Sequence, residues 1–600
     1  MCGISGIWHR SNRNYRRHLR KMNETLSHRG PDGAGEYETE GLCLGHTRLS
    51  IVDLEGGKQP MTSKDNSCAV TFNGEIYGFE RIKKEQNYEF RTHSDTELLL
   101  ALYENQDVKM LERLPGMFSF SIWDAKRKRL FCARDRFGEK PFYYAWGANG
   151  EFIFSSEIKA ILATGLVDGI VDESAVSHFL KKLYIHPHSS VYKNIKVLKP
   201  GHYLLVDESG VQEVRYWEFS ERDNRVSISE AVEEVQMRLR RAVRDQLVAD
   251  VPVGAFLSGG LDSSSIVSAA SSECKELMTL SYRFKGEYDE GDYAKSVAAK
   301  FGTKHIEMFE GELSVTEALE KMAYIYDEPF ADSSNIPTFQ ICEEARKYCK
   351  VVLTGDGADE LFGGYSWKYR PFYFQSEIQD SKSSALVAGM LINKVLGKFT
   401  KIGGFSDKAI AYKQKFSGKS VRQAMAELYF MFSDAELNML GLRSPDVLGG
   451  ARLSSLNDVL KEDMSDYMAG DILTKTDRSS MANGLELRSP FLDPALVEYV
   501  MSLSGNFKVD RKSDKILLRE AYGNQLPRKV RNRPKQGFGS PVAAWLSAPQ
   551  MIDTLNYYFS PERRYSKFLD STAVARYKFQ KDMRTWALLV FSIWCETWEV

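Results

Sequence analysis

The stretch VPVGAFLSGGLDSSSIVSAASSE (251–273) decides the fold. Its first seven residues are small or apolar and read as a short strand. Gly259 and Gly260 then open a turn, and from Ser263 onward the residues read as a helix. A strand feeding a helix through a glycine turn is the repeating unit of a parallel α/β sheet, where ligands sit at the carboxyl ends of strands. The two glycines let the backbone approach an anion, and the helix start presents free N–H groups and a partial positive charge. Ser258, Ser263 and Ser264 add hydroxyl donors. Asp262 would repel a phosphate unless it also holds a cation such as Mg²⁺. S-G-G alone is an ordinary strand-to-helix turn; the full string behind an apolar strand is far more specific. It departs from G-x-x-x-x-G-K-[ST], which disfavours a Walker-type nucleotide site.

Working outward, LMTLSYRF (277–284) reads as a second strand, YAKSVAAKFG (293–302) as a helix, and CKVVLTGDGADE (349–360) as a third strand ending in a Gly/Asp loop. TGDGADELFGGY (354–365) places Asp356, Asp359 and Glu360 among four glycines. Two such loops in one parallel sheet favour metal and phosphate binding over simple turning. Lys515, in DRKSDKILLRE (510–520), stands at a helix start and is the candidate to neutralise a departing pyrophosphate. Upstream, ISEAVEEVQMRLRRAVRDQLVAD (228–250) is helical, SERDNRVSISE (220–230) reads as a linker, and beyond Gly364 the chain reads as mostly helical.

The first two hundred residues have another texture. Short apolar or alternating runs at 41–53, 68–77, 118–124, 129–135, 151–157 and 199–210 are separated by Gly, Asn and Asp, with one clear helix at 94–105. Six hundred residues exceed one hydrophobic core, so at least two domains are expected. With 80 Lys+Arg against 81 Asp+Glu, the charge argues for neither nucleic acid nor a membrane surface as partner. The eight cysteines are scattered, with no C-x-x-C, as in the reduced thiols of a cytosolic protein. The N-terminal residues lack an apolar run behind a basic region, so no signal peptide is expected, and the longest apolar stretch, Ala385–Leu396, is too short to span a bilayer. A cytoplasmic protein is expected.

MCGISGIW (1–8) places a thiol directly behind the initiator methionine. It is either incidental or a nucleophile whose own α-amine becomes its base once Met1 is removed. SGGLDSS resembles the pyrophosphate loop of ATP pyrophosphatases. Together with MCGI, GHTRLSIVD (45–53), FNGEIY (72–77) and THSDTE (92–97), the chain resembles the glutamine-hydrolysing asparagine synthetase family over essentially its whole length. The resemblance implies an α+β antiparallel sandwich flanked by helices, of the Ntn-hydrolase type, as a class II glutamine amidotransferase domain over residues 2–215. A synthetase domain with the parallel sheet of the ATP pyrophosphatases and a mostly helical C-terminal region follows over 226–600.

Carried over by position, Cys2 is the nucleophile and Arg48 binds the glutamine α-carboxylate. Ile51 and Val52 contribute backbone groups. Asn73 and Gly74 form the oxyanion hole, and Glu75 and Asp95 hold the glutamine ammonium. ATP falls to Leu257, Ser258, Gly259, Gly260, Asp262, Ser263, Tyr282, Thr354, Gly355 and Asp356. Mg²⁺ falls to Asp262 and Asp359, and the leaving pyrophosphate to Lys515. Ammonia would travel internally to an acyl-adenylate, and a homodimer through the N-terminal domain is implied. Two departures bear on the acceptor. Asp356 stands where aspartate-using members carry a glutamate, and DEPFADSSNIPT (327–338) lacks their threonine pair and arginine. L-aspartate and another carboxylate, such as a sugar uronate, both stay open. DRSSMANGLELRSPFLD (477–493) resembles a segment beside the acceptor site, which makes Arg478 and Glu486 candidates there; RPKQGFGSP (533–541) reads as a closing loop.

Overall fold

The computed structural model describes every residue except 11–12, 221–223, 284–288, 310, 312–313, 366–367, 370–429, 445–452, 454, 511, 532 and 534–538. Ala385–Leu396 and most of the expected closing loop therefore lie outside the described residues. Among the described residues, no helix is long and apolar enough to cross a membrane.

Two six-stranded sheets build the N-terminal part. In the first, β1 (Gly3–Trp8), β2 (Gly33–Thr39), β3 (Leu42–Arg48), β8 (Tyr143–Trp146), β9 (Phe152–Ser155) and β10 (Ile195–Val197) lie in the order β10-β8-β9-β1-β3-β2. In the second, β4 (Met61–Thr62), β5 (Cys68–Ile76), β6 (Gly116–Asp124), β7 (Arg129–Arg134), β11 (His202–Asp207) and β12 (Gly210–Arg215) lie in the order β12-β11-β7-β6-β5-β4. All their pairings are antiparallel. The two-residue period of β6 explains the layering. Phe118, Phe120 and Ile122 face outward onto the apolar helix Asp95–Gln106, while Trp123 joins Ile4, Trp8, Leu44 and Phe154 between the sheets. Both faces are covered, so β6 is buried throughout. Four further helices, Arg16–Thr25, Phe79–Lys84, Ile158–Leu162 and Glu173–Lys182, join the one whose position the sequence marks at 94–105.

The C-terminal part holds a five-stranded parallel sheet. It comprises β13 (Val253–Phe256), β14 (Met278–Arg283), β15 (Lys304–Phe309), β16 (Val351–Leu353) and β17 (Glu486–Arg488), in the order β15-β14-β13-β16-β17. The helix behind the glycine turn begins at Leu261, two residues earlier than its sequence suggests. The C-terminal helix Met583–Thr597 is buried along eleven residues, in a core that contains Ile7, Tyr15 and Phe179 from the N-terminal part. Trp586 and Trp594 donate their indole N–H groups to the carbonyls of Ala331 (3.1 Å) and Asp327 (2.8 Å), which pins the 327–332 loop beside the parallel sheet.

Candidate active sites

Cys2 stands at the foot of β1, whose register with β3 sets Gly3 opposite Thr47 and brings Arg48 near the thiol. From the other sheet, β5 delivers Asn73, Gly74 and Glu75. The Cys2 N–H donates to Asn73 Oδ1 at 2.9 Å, while the buried Asn73 Nδ2 has no partner. A side chain at Gly74 would meet the Met117 carbonyl oxygen at 2.1 Å, so only glycine fits beneath the thiol. Asp95 opens its helix behind the Ser94 cap and accepts the Ile76 N–H at 3.0 Å. Burial, reinforced by Glu486 against the Ile76 N–H, pushes the Asp95 carboxyl up to about 6. Burial and the Asp95 charge push Glu75 well above the ordinary carboxylate range. The Cys2 thiol is itself pushed up by burial, against the pull of the N-terminal ammonium.

Arg48 donates to the carbonyls of Leu54 (2.9 Å), Asp53 (2.7 Å) and Val52 (3.3 Å), so here it shapes the loop beside the thiol. The Ile51 carbonyl accepts the Asp250 N–H at 2.9 Å, which docks this loop on the C-terminal part. Two more residues belong to this site: Glu486, which the sequence reading assigned to the acceptor site, and Arg488, which it missed. Glu486 pairs with the Met1 ammonium at 2.8 Å, and Arg488 reaches Glu75 at 3.4 Å and Glu486 at 2.7 Å. Both lie on β17, some four hundred residues downstream. No local pattern announces them; the only signal is charge inside an otherwise apolar strand-like segment.

The second site opens at the carboxyl ends of β13, β14 and β16, around a cavity of about 680 Å³. Leu257, Ser258, Gly260, Asp262, Ser263, Tyr282, Thr354, Gly355, Asp356, Asp359 and Lys515 all line it. Gly259 does not. It supplies the turn, at φ +72°, where a side chain would strike Tyr293 Cβ at 2.4 Å. Ser263 Oγ accepts the Ser258 N–H at 3.2 Å and meets Ser258 Oγ at 3.0 Å, holding the loop closed. Lys515 Nζ lies 2.5 Å from Asp262 and 2.6 Å from Asp359, in a left-handed backbone at φ +49° that a lysine adopts only under constraint. Burial raises the Asp356 carboxyl above its ordinary range, and the charges of Asp359 and Asp262 add to that.

The two aspartates converge on one cation, Lys515. Two carboxylates with room for phosphate oxygens form the donor set that suits Mg²⁺. Among the described residues there is no cluster of three or more His, Cys, Asp or Glu able to hold a metal by itself. Arg478 and Glu486 do not line the cavity. Arg478 is buried between the two parts, 3.2 Å from Glu157 and 3.1 Å from Asp327. Strand β17 touches both sites: its side chains reach Glu75 and Met1, while the Arg488 carbonyl accepts the Thr354 N–H at 2.8 Å and Ser489 Oγ meets Thr354 Oγ1 at 3.1 Å.

Residues 234–598 match the family model described as asparagine synthase, and residues 1–217 match a glutamine amidotransferase domain. Asparagine synthetase [glutamine-hydrolyzing] 1 of Bacillus subtilis is 31% identical over 99% of this chain and 96% of its own length. The putative asparagine synthetase [glutamine-hydrolyzing] 2 of Methanocaldococcus jannaschii is 39% identical over 61% of this chain and 76% of its own. A putative asparagine synthetase [glutamine-hydrolyzing] of Mycobacterium tuberculosis strain H37Rv is 30% identical over 96% and 93%. With one model covering more than half of the chain and relatives matched nearly end to end, the chain belongs to the glutamine-hydrolysing asparagine synthetase family.

Proposed function

We propose that this ATP- and glutamine-dependent amide ligase amidates L-aspartate, giving L-asparagine, L-glutamate, AMP and pyrophosphate. With Met1 removed, the nitrogen now bonded to Asn73 Oδ1 becomes the α-amine that takes the Cys2 thiol proton. The thiolate attacks the glutamine amide carbon, and Asn73 Nδ2 with the Gly74 N–H receives the oxyanion. Arg48 meets the glutamine carboxylate, and Glu75 with Asp95 meets its ammonium. Ammonia leaves as the thioester forms, and water then releases glutamate.

At the second site the 258–263 loop cradles the triphosphate. A carboxylate oxygen of the acceptor attacks the α-phosphorus while the bond to pyrophosphate breaks. Asp262 and Asp359 would hold Mg²⁺, which when bound neutralises phosphate charge. Lys515, freed from those carboxylates, follows the leaving pyrophosphate. Ammonia then attacks the acyl carbon, the bond to AMP breaks, and one proton is lost, with Asp356 placed to accept it. The observation that carries this reading is β17, whose side chains reach Met1 and Glu75 beside the thiol while its end bonds Thr354 in the phosphate-loop site.

The test is AMP release from ATP. Wild-type enzyme is expected to form AMP with L-aspartate and either glutamine or ammonium. Cys2→Ala is expected to lose glutamine use and keep the ammonium-dependent reaction. Loss of both, or AMP formation with a uronate and none with aspartate, would overturn the respective half.

A further inference from the structure

The cavity has a second lysine. Lys475, on the helix Leu473–Met481, lies 2.5 Å from Asp332 Oδ2, 2.8 Å from Ser334 Oγ and 3.8 Å from Asp471. It repeats the Lys515 arrangement at the other end of the cavity: an ammonium held between two aspartates, with Asp356 within electrostatic reach of both lysine clusters. Burial pushes the Asp332 carboxyl up, but Lys475 and the Ser334 N–H outweigh it and hold it at about 2. Burial, with the Asp332 charge adding to it, raises the Asp471 carboxyl well above its ordinary range. The cluster is therefore an Asp332–Lys475 ion pair with the Asp471 carboxyl close behind it. The pair is not sealed: Asp332 and Lys475 keep 21% and 11% of their side chains exposed and line the same cavity as the phosphate loop.

Two structural features hold it there. The Trp586 and Trp594 indoles fix the loop that ends at Asp332. Lys475 follows a nine-residue π-helical segment, Met464–Ile472, a geometry that recurs at functional sites.

We propose that Asp332 and Lys475 read the acceptor as an α-amino acid, Asp332 taking its ammonium and Lys475 its α-carboxylate; this rests on the amide-ligase reading above. The α-ammonium and α-carboxylate exchange one ion pair for two and between them add no net charge; the charge left over is that of the carboxylate that reacts. A carboxylate without an ammonium would draw Lys475 away and leave Asp332 buried and unpaired, a strongly unfavourable arrangement. The pair thus supplies the discrimination that the 327–338 segment lacks in its threonine and arginine positions.

The experiment measures AMP release by the full-length enzyme with ammonium chloride as nitrogen donor. The acceptors are L-aspartate, succinate, which lacks the ammonium, and D-glucuronate. Aspartate alone is expected to support turnover. In Lys475→Met and Asp332→Asn, KM for aspartate is expected to rise roughly 10–100-fold, the loss of one charged hydrogen-bond partner. KM for ATP and the glutaminase rate should stay within twofold, and Lys475→Arg should recover part of the loss. Succinate or glucuronate working as well as aspartate, or an unchanged aspartate KM in a folded Lys475→Met, would overturn the proposal. Glucuronate working while aspartate fails overturns it and leaves the amide-ligase reading intact. No AMP with any acceptor, together with no glutamine hydrolysis, overturns both.

Discussion

Asn73 divides its amide between two tasks: Oδ1 holds the Cys2 nitrogen, and Nδ2 is left buried and free to donate. Replacing Asn73 with Ala removes both, and loss of one oxyanion donor is worth about 10²–10³ in kcat. Glutaminase turnover of Asn73→Ala should fall by that factor while ammonium-dependent AMP formation is unchanged. Asp95 gives a pH dependence whose sign follows from burial. Its carboxyl, held at about 6 in the folded chain against an ordinary 3.8, must be ionised to hold an ammonium. Hence kcat/KM for glutamine should drop as pH falls through 6. A raised carboxylate binds more protons folded than unfolded between those values. It therefore costs stability that appears as pH rises from 3.8 and is complete above 6. Asp95→Asn should stabilise the fold at pH 7.5 by an amount on the order of 2–3 kcal/mol, read from urea unfolding, and have little effect at pH 3.5. That variant loses glutamine binding as it gains stability, as expected where a site is built against the fold's own preference.

At the level of elements, the strands with alternating or uniformly apolar runs were legible: β3, β5, β6, β7, β9, β11, β13, β14 and β16 all fall where the residue pattern puts them. β2 was not, because GAGEYET is a polar edge strand whose Glu36 pairs with Arg16 and Arg20 instead of packing into a core. β17 was not, because three residues carry no periodicity and two of them are charges that only the fold buries. The phosphate loop was legible down to single residues, since its chemistry depends on contiguous backbone. Lys475 was not, because its partners come from a loop some 140 residues earlier. Glycine 259 shows how tightly the loop is made. A methyl there meets Tyr293 Cβ at 2.4 Å and the Ala294 nitrogen at 2.7 Å, and the backbone is left-handed besides. Gly259→Ala should cost about 1–3 kcal/mol of stability and raise KM for ATP. Urea titration with ATP saturation curves checks both. Unchanged values would mean that the 293–294 helix yields freely.

Across the whole molecule, the two parts share one apolar core and a buried ionic seam, so they should unfold together. Arg29 is the centre of that seam. Its guanidinium lies 2.8 Å from Glu157 and 2.8 and 3.0 Å from the two oxygens of Asp477, and its Nε donates to the Cys2 carbonyl at 3.1 Å. Glu157 keeps Lys159 at 2.7 Å and His28 at 3.1 Å if Arg29 is lost. Asp477 is left with the more distant Lys140, at 3.8 Å. The cost of Arg29→Met should therefore fall mainly on Asp477, at about 3–5 kcal/mol for a buried charge stripped of its partner. Because the uncompensated carboxylate is the cause, Asp477→Asn in the same chain should restore much of the loss, and the double-mutant cycle should show strong coupling. Glutaminase activity should not return with stability, since the double variant still lacks the donor that fixes the Cys2 carbonyl. Unfolding followed by tryptophan fluorescence and by loss of glutaminase in the wild type should coincide. Separate transitions would show that the seam and the shared core do not bind the two parts into one cooperative unit.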